Sequence, residues 1–286
     1  MEPVYSLERF GQMRGLDAEI ADSNPPFASL VDLTGQAAIV TGGGRGLGFQ
    51  VVNRLVEAGA KVLIADVATD FAEDAVAYFN GKGGTVEYAP CDVRDLGQIQ
   101  AALDQAVAAF GQVDILVNIA AVLDMSVFTT MTEAMWDRSM DINAKGAVFF
   151  AQAVANQMIE RGIKGRIVNV LSHALNPAST FYYTYQLQYS ASKAALRQAT
   201  EVMARFLQPH GIVATCVIPG SMRSAGAFLT QRPEEVPMDP GPRAPMTMNP
   251  DEVARMVFAL CTDLAVFANG SVVTCDGGAS LGARDE

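Results

Sequence analysis

The 286-residue sequence predicts an α/β fold, a doubly wound seven-stranded parallel sheet flanked by helices on both faces. Short, near-continuous apolar runs recur along the chain, as parallel strands covered on both faces require. Longer stretches of helical periodicity separate them, and that alternation implies right-handed crossovers within one sheet. A third observation is the glycine-rich turn Thr41-Gly42-Gly43-Gly44-Arg45-Gly46-Leu47-Gly48, which sits between the first strand and the first helix, where a helix N-terminus can hold a phosphate.

Residues 1–34 precede the first strand. They contain a short helical stretch, Ser6 to Met13, and a Pro25-Pro26 break. This extension reads either as a poorly ordered tail or as an arm packed on a neighbouring subunit. The strand candidates that follow are Ala37–Thr41, Lys61–Ala65, Thr85–Ala89, Ile115–Asn118, Arg166–Leu171, Val213–Ile218 and Ser271–Cys275. Helical stretches intervene at Gly46–Ala58, Phe71–Phe79, Leu96–Phe110, Glu133–Glu160, Tyr189–Leu207 and Pro250–Thr262. Together they fill residues 35–286 as one expected domain and leave no room for a second. Ser221 to Asn249 breaks the rhythm, with five prolines and the apolar residues Phe228, Leu229, Met238, Met246 and Met248. It follows the sixth strand, on the carboxyl edge where open α/β sheets bind ligands, and reads as a substrate lid over about 221–249 in preference to a plain surface loop.

Composition excludes several classes. Half of the residues are hydrophobic, enough for a sizeable core, and the formal net charge is -11. No Lys/Arg run is present, which argues against nucleic-acid binding. The four cysteines, Cys91, Cys216, Cys261 and Cys275, are scattered without a CxxC pair, and there are two histidines, His173 and His210. That pattern predicts buried reduced thiols and no metal site. No apolar stretch reaches the ~18 residues that span a bilayer, and Met1 to Ile20 lacks a signal-peptide core. The expected location is cytoplasmic, without a membrane partner.

The glycine turn in its strand–turn–helix context reads as a Rossmann-type dinucleotide site, with Gly42, Gly44, Arg45, Gly46, Leu47 and Gly48 against the ligand. Asp66 ends the second strand about 20 residues on, where a carboxylate can accept hydrogen bonds from the adenosine ribose and repel a 2′-phosphate. It favours NAD over NADP, and Arg45, which can pair with such a phosphate, is the counter-argument. Asp66 is equally a residue type that caps helices or turns. Asp92 reads as a contact to the adenine amino group or as a turn residue. Tyr189 and Lys193 are four residues apart, so on a helix they share a face. A fixed ammonium beside a phenol favours the phenolate, which makes Tyr189 a candidate proton-transfer group.

These residues resemble, in order, the motifs of the short-chain dehydrogenase/reductase family over roughly residues 34 to 281. Thr41 to Gly48 resembles its TGxxxGxG loop, and Asp92-Val93 its adenine-contacting pair. Asn118-Ile119-Ala120-Ala121 resembles the NNAG motif with the second asparagine and the glycine replaced. Asn143 matches the helix asparagine, and Ser172 the serine after a VNxxS strand. Tyr189 and Lys193 match YxxxK, Pro219-Gly220-Ser221-Met222-Arg223-Ser224 resembles PGxxxT, and Asp276-Gly277-Gly278 the C-terminal DGG. The gap from Ser172 to Tyr189 is a few residues longer than the family pattern.

The resemblance implies an NAD-dependent dehydrogenase that converts a secondary alcohol to a ketone, or the reverse. Tyr189 acts as acid/base, Lys193 lowers the phenol's pKa and binds the nicotinamide ribose, Ser172 stabilises the substrate oxygen, and Asn143 holds a water behind Lys193. Val93, Asn118, Ala120, Pro219, Gly220, Met222 and Ser224 are implied cofactor contacts. His173, Tyr182, Tyr183, Tyr185 and Phe228 are candidate substrate contacts, the tyrosines in the lengthened gap forming an aromatic wall or a repacked loop. Phe128 and the methionines of the lid also hint at an apolar or aromatic ligand, while sugar alcohols remain open. The family's tetramers imply a homo-oligomer, tetramer or dimer. Two alternatives stand: an NADPH-dependent ketoreductase using Arg45, and a catalytically silent dinucleotide-binding regulator.

Overall fold

A computed structural model describes residues 23–176, 184–222, 234 and 248–281. Its strands are β1 (Ala37–Thr41), β2 (Lys61–Asp66), β3 (Val86–Pro90), β4 (Ile115–Asn118), β5 (Arg166–Val170), β6 (Val213–Pro219) and β7 (Val272–Cys275). Its helices are α1 (Gly46–Glu57), α2 (Thr69–Asn80), α3 (Leu96–Phe110), α4 (Glu133–Met140), α5 (Ala147–Arg161), α6 (Leu187–Leu207) and α7 (Pro250–Cys261). The strands form one parallel sheet in the order β3-β2-β1-β4-β5-β6-β7. Winding runs outward from β1 to β3, returns to β4 beside β1, and then runs the other way. A crevice opens at that reversal, on the carboxyl ends of the strands.

Alternation along each strand divides the core into two layers. Val40 and Ile64 pack with Val51 and Leu55 of α1 and Val253 and Val257 of α7. Ile39, Leu63, Leu116 and Ile167 pack with Ile99 and Leu103 of α3, Phe150 and Val154 of α5, and Leu207 of α6. Each fully buried Leu, Ile or Phe contributes about 2 kcal/mol, so this double-sided packing fixes the sheet and the loops ride on it. Helix starts are set locally. Asp95 accepts hydrogen bonds from the Gly97 and Gln98 amides at 2.8 and 3.2 Å to open α3. Asn249 and Glu252 form a capping box, with Pro250 in the first turn, to open α7.

The single helix expected over Glu133–Glu160 is interrupted. A π-helical turn, Asp141–Gly146, joins α4 to α5. Apolar periodicity continues through this turn, so the sequence pattern hides the wider winding. The turn brings Gly146 against the loop after β3, where an added Cβ would lie 2.7 Å from the Val93 carbonyl oxygen. Other elements begin or end within one or two residues of expectation.

The Ser6 to Met13 stretch lies outside the described residues, as do Tyr182, Tyr183, Ser224, Phe228 and most of the expected lid. The described ends of that segment lie together: Met222 and Met248 form a parallel bridge, and the Met248 amide donates to the Ser221 carbonyl at 2.8 Å.

Candidate active site

Thr41 ends β1 and ties two loops together. Its Oγ1 accepts hydrogen bonds from the Ile119 and Ala120 amides at 3.0 and 3.2 Å, so the segment after β4 is held against the glycine turn. Gly42 and Gly46 adopt φ of 68° and 57°, which disfavour other residues. At Gly48 a Cβ would lie 2.0 Å from the Gly42 carbonyl oxygen, so the first turn of α1 closes onto the loop only without a side chain. The result is a cradle of backbone N–H groups at a helix N-terminus.

Asp66 is buried at the end of β2. Its Oδ2 accepts from the Gly44 amide at 3.1 Å and its Oδ1 from the Ala68 amide at 3.0 Å. The carboxylate thus shapes the glycine turn while also lining the cavity beside it. The Arg45 guanidinium stacks 4.9 Å above the Phe71 ring. Asp92 is paired with Arg94, whose Nε lies 3.0 Å from both of its oxygens, and this holds its carboxyl below the usual range.

A cavity of about 1000 Å³ runs along the carboxyl edge of the sheet. At its nucleotide end it is lined by Gly42, Arg45, Gly46, Leu47, Gly48, Asp66, Asp92, Val93 and Ala120. At the other end lie Ser172, His173, Tyr189, Lys193, Pro219, Gly220 and Met222. Gly44, Asn118, Asn143 and Tyr185 do not line it. The Gly44 amide faces Asp66. Tyr185 contributes its main-chain carbonyl, which accepts from the Ser126 amide at 2.9 Å.

Ser172 follows β5 and is buried; its Oγ accepts from the Ala174 amide at 3.1 Å and also hydrogen-bonds Tyr189. Tyr189 and Lys193 project from the first turns of α6. Lys193 Nζ donates to the Val170 carbonyl at 2.8 Å and lies 5.9 Å from the centre of the Tyr189 ring. The depressed phenol expected from the spacing is not found. Burial pushes the Tyr189 hydroxyl upward, with only the Ser172 bond opposing it. Burial likewise pulls the Lys193 ammonium down to about 8. The ammonium is spent on a carbonyl, and low-dielectric surroundings disfavour charge on both groups.

His173 Nε2 lies 3.5 Å from Ser221 Oγ, the Pro219 backbone bonds the ring, and burial lowers its pKa. Asn143 sits in the π turn, fully buried. Its amide grips the Val122 backbone, accepting at 2.8 Å and donating at 3.0 Å, and donates to Ser192 Oγ at 3.0 Å. Ser192 in turn donates to the Tyr189 carbonyl at 2.7 Å. Asn143 therefore braces the loop after β4 against α6. Asn118 lies beneath the cavity, its Nδ2 donating to Asn169 Oδ1 at 2.9 Å and the Ala147 carbonyl at 3.1 Å. Ala121 replaces the motif's glycine without a positive φ, so that departure carries no backbone strain.

Other contributors carry no local sequence signal. Gln188 is fully buried; its Nε2 donates to the Asp124 carbonyl at 2.9 Å and its Oε1 accepts from Ser126 Oγ at 2.9 Å. Asp124 and Arg138, both on the cavity wall, form an ion pair. Asp276 accepts from the Gly278 and Ser280 amides at 2.8 Å each and backs Gly220, where a Cβ would lie 3.0 Å from the Asp276 Cα. The four cysteines are free thiols. Among the described residues no helix is long and apolar enough to cross a membrane.

A family model described as short chain dehydrogenase matches residues 36–234. Galactitol 2-dehydrogenase of Agrobacterium fabrum is 37% identical over 188 residues, covering 66% of this chain and 71% of its own length. D-threitol dehydrogenase of Mycolicibacterium smegmatis is 30% identical over 258 residues, covering 87% of this chain and 94% of its own. A solved 7α-hydroxysteroid dehydrogenase, complexed with NADH and 7-oxo glycochenodeoxycholic acid, superposes with a TM-score of 0.78. It is 27% identical and covers 89% of this chain and 98% of its own.

Proposed function

This chain belongs to the short-chain dehydrogenase family, an oxidoreductase acting on hydroxyl groups with a nicotinamide dinucleotide, and we propose that it oxidises a secondary alcohol with NAD⁺, Tyr189 being the proton acceptor. The observation that carries this reading is the meeting of Ser172, Tyr189 and Lys193 at one end of a cavity whose other end is the glycine cradle. The cradle fits a dinucleotide, because Gly48 has no room for a Cβ and the start of α1, from Arg45 to Gly48, lines the open cavity. The chemistry that group supplies when bound is acceptance of a hydride from the carbinol carbon.

This chain's residues handle the proton. Ser172 holds the substrate oxygen beside Tyr189. Tyr189 takes the hydroxyl proton as the C–H bond breaks, and in the reverse direction returns it. Lys193 leaves the Val170 carbonyl to stabilise the phenolate and the nicotinamide ribose. Asn143 keeps α6 and the loop after β4 in register. Asp66 supports NAD over NADP, since a buried carboxylate repels a 2′-phosphate, and Arg45 is engaged over Phe71.

Segment 221–249 closes over the substrate in this reading, its ends joined at the Met222–Met248 bridge. Val202 and Phe206, exposed on one face of α6, and Phe267, 99% exposed before β7, support a homo-oligomer, which light scattering of the purified protein reads directly. Acidic charge and the unpaired thiols agree with a cytoplasmic enzyme.

The test is a screen of secondary alcohols, with NAD⁺ and NADP⁺ in parallel, on wild type and Tyr189→Phe. NADH formation is expected with wild type and NAD⁺. The variant is expected to bind NADH normally and to lose turnover by about a thousandfold or more, within the range of general acid–base contributions. Substantial turnover by the variant removes Tyr189 from the acid/base role.

A further inference from the structure

The cavity wall beside Tyr189 carries a polar side chain that this mechanism does not use. Gln186 immediately precedes α6, three residues before Tyr189. It is 6% exposed and lines the same cavity as Ser172, His173 and Tyr189. As the N-cap of α6 it stands where a side chain could bond the first free amides, yet it makes no capping bond. Its main-chain carbonyl accepts from the Ser190 amide at 2.8 Å, while its side-chain amide has no hydrogen-bond partner among the described residues and opens to the cavity. An amide on the wall of an open cavity is met by water until a bound molecule takes the water's place, so Gln186 is free to bond a ligand there.

Neighbouring groups narrow the identity of that partner. Asp124 and Arg138 neutralise each other on the same wall, so they call for no ionic substrate. His173 is engaged with Ser221 and with the Pro219 backbone. Gln186 offers an uncharged donor and an acceptor side by side. A hydroxyl, which both donates and accepts, satisfies the two together. Gln186 and Tyr189 are three positions apart and line the same cavity, so a substrate whose carbinol faces Tyr189 presents its neighbouring carbons towards the Gln186 side.

We propose that Gln186 is a specificity-determining residue that hydrogen-bonds a second hydroxyl on the substrate, adjacent to the one oxidised, so that the preferred substrates are neutral vicinal diols and polyols. The inference rests on the dehydrogenase reading above and sharpens its substrate class.

The experiment compares vicinal cyclohexanediol with cyclohexanol under NAD⁺, in wild type and Gln186→Leu, which keeps the side chain's size and removes its polarity. Wild type is expected to prefer the diol in kcat/KM. The variant's diol-to-monoalcohol ratio should fall roughly tenfold, the worth of one hydrogen bond. An unchanged ratio, or a wild type that favours the monoalcohol, overturns the proposal. A binding measurement separates it from the underlying reading: the thermal shift produced by cyclohexanediol in the presence of NADH. A diol-specific shift that is lost in Gln186→Leu supports the contact even if no alcohol is turned over, in which case only the dehydrogenase reading falls. Equal shifts in the two proteins overturn the contact. Gln186→Asn, which shortens the amide by one carbon but keeps it, should retain more of the diol preference than Gln186→Leu, whereas a purely structural role would make both variants alike.

Discussion

Lys193 Nζ rests on the Val170 carbonyl, and the enclosing protein draws its pKa from 10.5 down to about 8. That displacement has a stability consequence with a definite sign. Below pH 8 the lysine is charged in both folded and unfolded chains, and folding bears the full cost of burying the charge. Between about pH 8 and 10.5 the folded chain has released the proton and the unfolded chain has not, so stability rises with pH. At ~1.4 kcal/mol per pH unit the whole gain is about 3 kcal/mol. Lys193→Met lacks the titration. Urea unfolding of both proteins at pH 7.5 and 10 should show the difference between wild type and variant moving by that order in favour of wild type. A constant difference contradicts the buried ammonium. That Ser172, Tyr189 and Lys193 meet at one end of the cavity was legible from their order and spacing in the chain. The destinations of Asn118 and Asn143 were not. Both are short amides, and their partners, Asn169 in one case and Val122 with Ser192 in the other, lie 51, 21 and 49 positions away. Only the folded chain decides whether such a side chain meets a ligand or a backbone.

At the scale of elements, the glycine turn and α1 act as one rigid piece. The approach of Gly48 to the Gly42 carbonyl leaves no space for a methyl group, the added Cβ standing 2.0 Å from that oxygen. Gly48→Ala must push the first turn of α1 off the loop. Overpacking of this kind costs about 1–3 kcal/mol, and here the displaced atoms are the amides that would face a phosphate. The variant is expected to bind NADH at least tenfold more weakly in a fluorescence titration and to melt at a lower temperature. Normal affinity would show that the loop tolerates the shift and that the cradle is not formed by this contact. The strand–turn–helix pattern made this element readable, because glycine at such a turn serves a positive φ or a close backbone approach, and both occur in this loop. The π turn at Asp141–Gly146 was unreadable for the opposite reason. No residue type within the turn signals the wider winding, and the contact it serves, Gly146 on Val93, belongs to another part of the chain.

For the whole molecule, the alternation of strand and helix runs made the doubly wound class legible, and the apolar layers that cover the sheet also enclose thiols. Cys91 and Cys261 are buried in those layers and Cys216 in a smaller cluster with Ala147, Leu171 and Leu196, and burial raises the thiols of Cys91, Cys216 and Cys261 from 9.0 to about 11, 11 and 12 respectively. Here the sign is the reverse of that for Lys193. A raised folded pKa means stability that is complete below pH 9 and is lost as pH rises through 11 to 12, because the unfolded chain sheds protons that the folded chain retains. Tyr189, also pushed upward by burial, adds to the loss above pH 10. Four thiols, Cys275 being raised as well, and a phenol oppose one lysine, so the balance in wild type is a net loss on the alkaline side. Urea midpoints taken under reducing conditions should therefore fall between pH 9 and 11, even though the Lys193 contribution isolated by its variant rises over part of that range. Cys261→Ala, which removes the largest of the thiol shifts, should flatten the fall. A midpoint that climbs through this interval would mean that the thiols are hydrated in the folded chain, and that the two layers are less closed than their packing indicates.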